Sequence, residues 1–232
     1  MFALLKRIIP EPLVALGRPP YHYLLQFGAA LYYGFPAKQL VVIGVTGTKG
    51  KSTVADMVYA ILTAAGYKAA LASTIRFVTP HSEAPNRFKM TMQGRGFIQR
   101  LLRRAHTEGA THAVVEITSE GAVQYRHKFL YLDGLIVTNI HREHIESHGS
   151  FENYVAAKRS IVTELEHSYK KTVLVTNTDI PETKAFLTAR VSEAIGFSAT
   201  ELGSAPTVPL PGDFNRLNAL AALKSGVERH EH

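Results

Sequence analysis

Cysteine is absent from the 232-residue chain, which excludes a disulfide framework and any thiolate metal site and is compatible with a reducing compartment. Tryptophan is absent too, and excludes nothing. Long hydrophobic runs are also missing. The uncharged stretch Pro19 to Ala37, flanked by Arg18 and Lys38, is broken by Pro19, Pro20, Gly28, Gly34 and Pro36 and carries His22, Gln26 and four tyrosines. Its apolar core is too short to span a bilayer, which leaves an aromatic helix packed on the domain or a peripheral membrane contact. There is no internal repeat and no low-complexity linker. Acidic residues are in deficit, 19 against 26 Lys and Arg, for a formal net charge of +7. That balance favours nucleotides, phosphorylated substrates, nucleic acid or an anionic membrane as partners, without choosing among them.

With 46% apolar residues the chain has enough material for a real core. Its organising stretch is Val41 to Thr53, V-V-I-G-V-T-G-T-K-G-K-S-T. An apolar β-branched run enters a glycine-rich turn and a helix-periodic segment follows, as in a phosphate-binding loop. Backbone N–H groups of Gly47, Thr48, Lys49 and Gly50 can close on phosphate oxygens, Lys51 adds a positive charge, and Ser52 or Thr53 offers a hydroxyl to magnesium. The spacing is not the strict Walker form, because Val45 stands five residues before Gly50. A glycine-rich turn without a ligand is the alternative. Export is not expected, since it would part such a loop from cytosolic ATP.

Around the loop the pattern alternates strand and helix. Strands are expected at Leu40–Val45, Lys68–Val78, Thr111–Thr118, Tyr131–Thr138, Thr172–Thr176 and Val191–Phe197. Helices are expected at Ser52–Ala65, Phe97–His106, Phe151–Glu166 and Asp213–Leu223, with a polar loop over Thr79–Gly96. This is an α/β pattern, a three-layer P-loop-type domain on a mostly parallel sheet over 40–232, with 1–39 as a short appendage. Ligands then gather at the carboxyl ends of the strands.

Two strand ends carry chemistry. Glu116 closes V-V-E-I-T-S, where a carboxylate can hold magnesium beside a nucleotide, although a solvated strand-end glutamate fits as well. The fourth strand runs into T-N-I-H-R-E-H-I-E-S-H-G, with three histidines and two glutamates between His141 and His148. Packing does not call for such a cluster, whereas metal or phosphate contact does. Arg87, Lys89, Arg95 and Arg100 make the region around Thr91 the most basic part of the chain, suited to an anionic substrate or simply to solvent.

Taken together, G-V-T-G-T-K-G-K-S-T, E-I-T-S, T-N-x-x-x-E-H-x-E-x-H-G with Y-x-x-A-K, and G-D-F-N-R-L-N-A-L-A-A resemble, in order, the central ATPase domain of the Mur ligases, nearest its tripeptide-synthetase branch. The resemblance covers roughly 41–223. It implies an ATP-dependent ligase of peptidoglycan precursor synthesis in the cytoplasm, which adds an amino acid to a UDP-N-acetylmuramyl-peptide through an acyl phosphate. Lys51 is then catalytic, Ser52 and Glu116 hold one magnesium, and His144 with a carbamylated Lys158 holds a second. A lysine takes up that modification only where its amine is sometimes neutral. Asn215 and Asn218 match the paired asparagines near adenine, with helix capping as the alternative. Thr91, Arg95 and Ser119 fall where the family binds substrate.

The chain departs from the family in lacking the usual C-terminal domain and any recognisable N-terminal UDP-binding domain. It is therefore expected to bind ATP yet ligate poorly, unless a partner supplies the rest. Glu143 stands where aspartate is usual, Lys49 where asparagine is frequent, and Glu120 where histidine is common. Rival readings are a folylpolyglutamate- or cyanophycin-synthetase-like ligase and a non-catalytic ATP-binding module. Nucleic-acid binding is not expected, because no such module is present.

Overall fold

The computed structural model describes residues 11–88, 90–94, 96–143 and 145–225, excluding the side chains of 11–15 and 145. Eight strands form one sheet: β1 Val41–Thr46, β2 Ala69–Ala72, β3 Arg76–Thr79, β4 Ser82–Pro85, β5 His112–Glu116, β6 Gly134–Val137, β7 Val173–Asn177 and β8 Glu193–Phe197. Their spatial order is β4-β3-β2-β5-β1-β6-β7-β8. Pairing is parallel along β2-β5-β1-β6-β7-β8, and only the β2–β3 and β3–β4 pairs, at one edge, are antiparallel. The alternating pattern therefore gives the mostly parallel α/β sheet expected of it.

Side chains along the central strands alternate between two cores. Val42, Ala113, Val115, Leu135 and Val137 face one, while Ile43, Val45, Val114 and Ile136 face the other. The first core is covered by α3 (Phe97–Thr107), through Ile98 and Leu102, and by α6 (Phe151–Glu166), through Tyr154, Ile161 and Leu165. The second lies under α2 (Lys51–Ala64), through Val54, Val58 and Leu62, and under α8 (Asp213–Lys224), through Leu220 and Ala221. Helices on both faces of a buried parallel sheet make three layers. The remaining helices are α1 (Glu11–Tyr32) and three single turns, α4 (Ser119–Val123), α5 (Ile145–His148) and α7 (Pro181–Lys184).

Two expectations change. The strand expected over Lys68–Val78 is two strands, because the Ser73 hydroxyl accepts the N–H groups of Ile75 and Arg76 and turns the chain back. The polar loop Thr79–Gly96 contains β4, whose Pro85 is tolerated at a sheet edge. Within the N-terminal appendage the aromatic helix is α1, which runs through Pro19 and Pro20 and is followed by a 3-10 turn at Pro36–Gln39; the residues before Glu11 lie outside the described residues. Those prolines forgo ladder bonds where the Leu16–Pro20 stretch is open to solvent.

An aromatic cluster attaches α1 to the body. Tyr23 and Phe27 pack on Phe129, Tyr23 also meets Tyr125, and Phe35 bridges Phe27, Phe129 and Tyr131. Phe35, Tyr125, Phe129 and Tyr131 have φ between 45° and 63°. Non-glycine residues adopt that region at a cost, which the stacked rings offset.

Candidate active site

The loop between β1 and α2 is held from below by the end of β6. Thr48 N–H donates to the Asn139 carbonyl (2.9 Å), Lys49 N–H to the Asn139 side chain (2.8 Å), and both Thr138 Oγ1 (2.7 Å) and Asn139 Nδ2 (3.0 Å) donate to the Lys49 carbonyl. Two glycines are required by this arrangement. Gly47 has φ +148°, and a Cβ there would stand 1.9 Å from Thr138 Oγ1; Gly50 has φ +79°, with Asn218 Oδ1 2.7 Å from its Cβ position. Gly47→Ala is accordingly expected to disrupt nucleotide binding and to lower stability by about 1–3 kcal/mol, read by thermal melting and nucleotide titration.

Beside the loop lies a cavity of about 340 Å³ lined by Lys51, Ser52, Thr74, Glu116, Ser119 and Lys158, among others. The parallel register sets Val45 beside Glu116, so the loop and the end of β5 share one sheet edge. Glu116 is buried, and its Oε2 accepts from Ser52 Oγ (3.0 Å), Thr74 N–H (2.7 Å) and Thr74 Oγ1 (2.9 Å). A hydroxyl and a carboxylate opening on a cavity form an oxygen donor set that fits magnesium, which keeps waters and phosphate oxygens as its other ligands. Among the described residues no group of three or more His, Cys, Asp or Glu forms a metal cluster.

Lysines 51 and 158 meet here. Lys51 Nζ donates to the Thr48 carbonyl (2.9 Å). Burial lowers its pKa, against the opposing pull of Glu116, Glu120 and Glu143. Lys158 is 1% exposed and donates to the Gly47 carbonyl (2.8 Å), with Nζ 4.8 Å from the centre of the Tyr154 ring. Burial, then Lys51, pushes its amine down to about 7, while Glu120 pulls the other way. Tyr154 itself bonds Thr48 across 2.7 Å. Helix α6 thus braces the phosphate loop at two points.

Residues 45–205 match the Mur ligase middle domain. The chain belongs to the Mur ligase family. It is 32% identical over 200 residues to the UDP-N-acetylmuramoyl-L-alanyl-D-glutamate 2,6-diaminopimelate ligase of Haemophilus influenzae, covering 84% of this chain and 37% of that protein. To the ligase of the same name from Chlamydia felis it is 29% identical over 219 residues, covering 84% and 44%. The Mur ligase chain therefore spans less than half the length of these curated relatives. A solved diaminopimelate ligase shares the fold, with a TM-score of 0.69, 23% identity, and coverage of 83% of this chain and 44% of that one. So does the apo folylpolyglutamate synthase of L. casei, with a TM-score of 0.67, 18% identity, and coverage of 88% and 61%.

In this Mur ligase fold the candidate residues are not all placed alike. Gly47, Lys51, Ser52, Thr91, Glu116, Ser119 and Lys158 line the one cavity, and Thr53 follows in the first turn of α2. Asn218 lies against Gly50, while Asn215 is buried and donates to the Pro211 carbonyl (2.8 Å), stitching the start of α8 to the preceding loop. His144, Arg95 and Lys89 lie outside the described residues. From the histidine cluster, His148 comes to the site, with Nε2 3.0 Å from Ser119 Oγ. Thr138, Asn139 and Tyr154 stand in the T-N and Y-x-x-A-K motifs without a role of their own there, and Thr74 stands in none. The T-N pair after β6 was a usable signal for two of them; Thr74 carried none.

A second cleft adjoins the first. Arg126 is half-buried and its guanidinium donates to the Met92 carbonyl and to Gln124. With Gln93, Gly94, His22 and Gln26 it lines a cleft of about 430 Å³, and the segment 90–94 contributes to both, Met90, Gln93 and Gly94 to this cleft and Thr91 to the first cavity.

Proposed function

We propose that this chain handles ATP for an amide-forming Mur ligase acting on a UDP-N-acetylmuramyl-peptide in the cytoplasm. The convergence of Lys51, Ser52, Glu116 and Lys158 on one cavity beside the phosphate loop carries the reading. The loop amides and Lys51 would hold the terminal phosphates and neutralise charge on the phosphoryl group as it moves to the substrate carboxylate. Asn218, against the loop, would sit toward the base, with Asn215 fixing its helix. Magnesium at Ser52 and Glu116 would supply Lewis-acid neutralisation when bound. Arg126, with Gln124 and Gln93 beside it, would receive the acidic part of the substrate, with Thr91 and Ser119 at the boundary between the two clefts.

Lys158 would carry a carbamate, since an amine near pKa 7 is partly neutral at cytoplasmic pH and can attack carbon dioxide. With His144, that anion would hold a second magnesium. Carbon-13 NMR of the chain in labelled bicarbonate is expected to show one carbamate signal that Lys158→Ala removes. Loss of the signal only on denaturation, with no change in the variant, would assign it elsewhere.

The decisive assay is magnesium-dependent ATP turnover with a UDP-muramyl-dipeptide and candidate amino acids, read as phosphate and as product mass. Amide product supports a complete ligase. ATP binding without amide product supports ATP handling by this chain, with ligation needing more than this span. No ATP binding would overturn both. The folylpolyglutamate-type alternative is tested in the same assay with a folate substrate, and the curated relatives favour the muramyl one.

A further inference from the structure

Helix α1 is built inside out. Its polar residues between Pro19 and Tyr32 turn inward: Gln26 is 5% exposed and His22 half-buried. Its outward residues are apolar, with Leu24 63%, Leu31 59% and Tyr32 82% exposed, accompanied by Leu16 and Tyr21. At about 3.6 residues per turn, Leu16, Pro20, Leu24 and Leu31 fall on one stripe, and that stripe is exposed. A surface helix ordinarily reverses this arrangement. A contiguous apolar helix face marks a contact with something less polar than water.

Charge identifies the occupant. No charged side chain interrupts α1 from Pro19 onward, and cations flank it: Arg18 before the stretch, Lys38 after it and Lys128 beside Leu24. Lys38 lies over the Phe35 and Tyr131 rings, 5.1 Å from each centre. The acids nearby are Glu11 in the first turn and Glu164, which pairs with Lys128. The sequence preceding α1, M-F-A-L-L-K-R-I-I-P, is apolar and basic with no acid. No described helix is long and apolar enough to cross a membrane. We infer that α1 docks in the plane of an anionic lipid surface, with Leu24, Leu31 and Tyr32 entering the headgroup boundary and the surrounding Arg and Lys meeting lipid phosphates.

This inference does not depend on the ligase reading. The test is co-sedimentation of the full chain with vesicles of phosphatidylcholine, with and without phosphatidylglycerol. Partitioning is expected to rise about tenfold or more with the anionic lipid and to fall at high salt. The double variant Leu24→Asp/Leu31→Asp should lose it while keeping the parent melting temperature. Because the chain has no cysteine, Leu24→Cys takes a single environment-sensitive dye, expected to shift to the blue on anionic vesicles while the same dye at Ser204→Cys does not. Absence of vesicle binding overturns the inference. So does a dye at position 24 that responds to protein concentration alone, since a second copy of the chain would then cover this face.

Discussion

Lys51→Ala is expected to weaken Mg·ATP binding by about a hundredfold or more while leaving the melting temperature of the free chain nearly unchanged. Two features of the site set that size. An ammonium facing polyphosphate makes charge-assisted hydrogen bonds worth roughly 1.5–3 kcal/mol, and each 1.4 kcal/mol is about tenfold in affinity. Glu116, Glu120 and Glu143 all act on Lys51. Removing the cation leaves those carboxylates facing an anionic ligand, which adds to the loss. Stability changes little because Lys51 opens α2 and its one hydrogen bond is to the Thr48 carbonyl, within its own loop. Isothermal titration of parent and variant measures both, with a thermal melt as control. Binding within threefold of the parent would remove Lys51 from the phosphate site and with it the main reason for reading this loop as an ATP cradle.

How far the sequence could be read depends on whether a feature is local. The phosphate loop, the ends of β5 and β6 and the start of α8 were legible, because each is a strand or helix terminus with its own residue signature. Parallel pairing then forces them to one edge. The break at Ser73 was not legible: A-A-L-A-S-T-I-R-F-V holds no Gly, Pro, Asn or Asp to mark a turn, and the turn is made by one hydroxyl accepting two N–H groups. The cost of missing it was Thr74, which that turn delivers to Glu116 by two hydrogen bonds. Two departures from the family's usual residues looked unrelated in sequence and meet in space, as Lys49 and Glu143 form an ion pair at 2.7 Å. The reversed polarity of α1 was also hidden. Its composition suggested an aromatic helix, but only the packing of Tyr23 and Phe27 on Phe129 decides which side faces out.

His127 should make the fold acid-sensitive in a way that one substitution removes. Its ring is 1% exposed, and neither nitrogen has a hydrogen-bond partner of normal geometry, although the Ser160 backbone lies close. Burial first, and Lys128 second, press its pKa from 6.5 down to about 3. It edges a cavity of about 200 Å³ whose lining also includes Tyr23, Tyr131, Lys128, Glu164 and His167. Because the folded pKa is depressed, the unfolded chain binds the extra proton between pH 6.5 and 3. Stability is therefore unaffected above pH 6.5 and falls as pH drops through that window, by roughly 2 kcal/mol at pH 5 and on the order of 5 kcal/mol in full. Carboxylates titrate in the same range, so the informative quantity is the difference between parent and His127→Leu. At pH 7.5 the variant should melt near the parent or slightly above it, since two buried nitrogens without partners have been removed. At pH 5 it should gain several degrees on the parent. If the two proteins lose stability in parallel from pH 7.5 to 5, His127 is already protonated or already satisfied in the fold, and the acid sensitivity lies in the carboxylates alone.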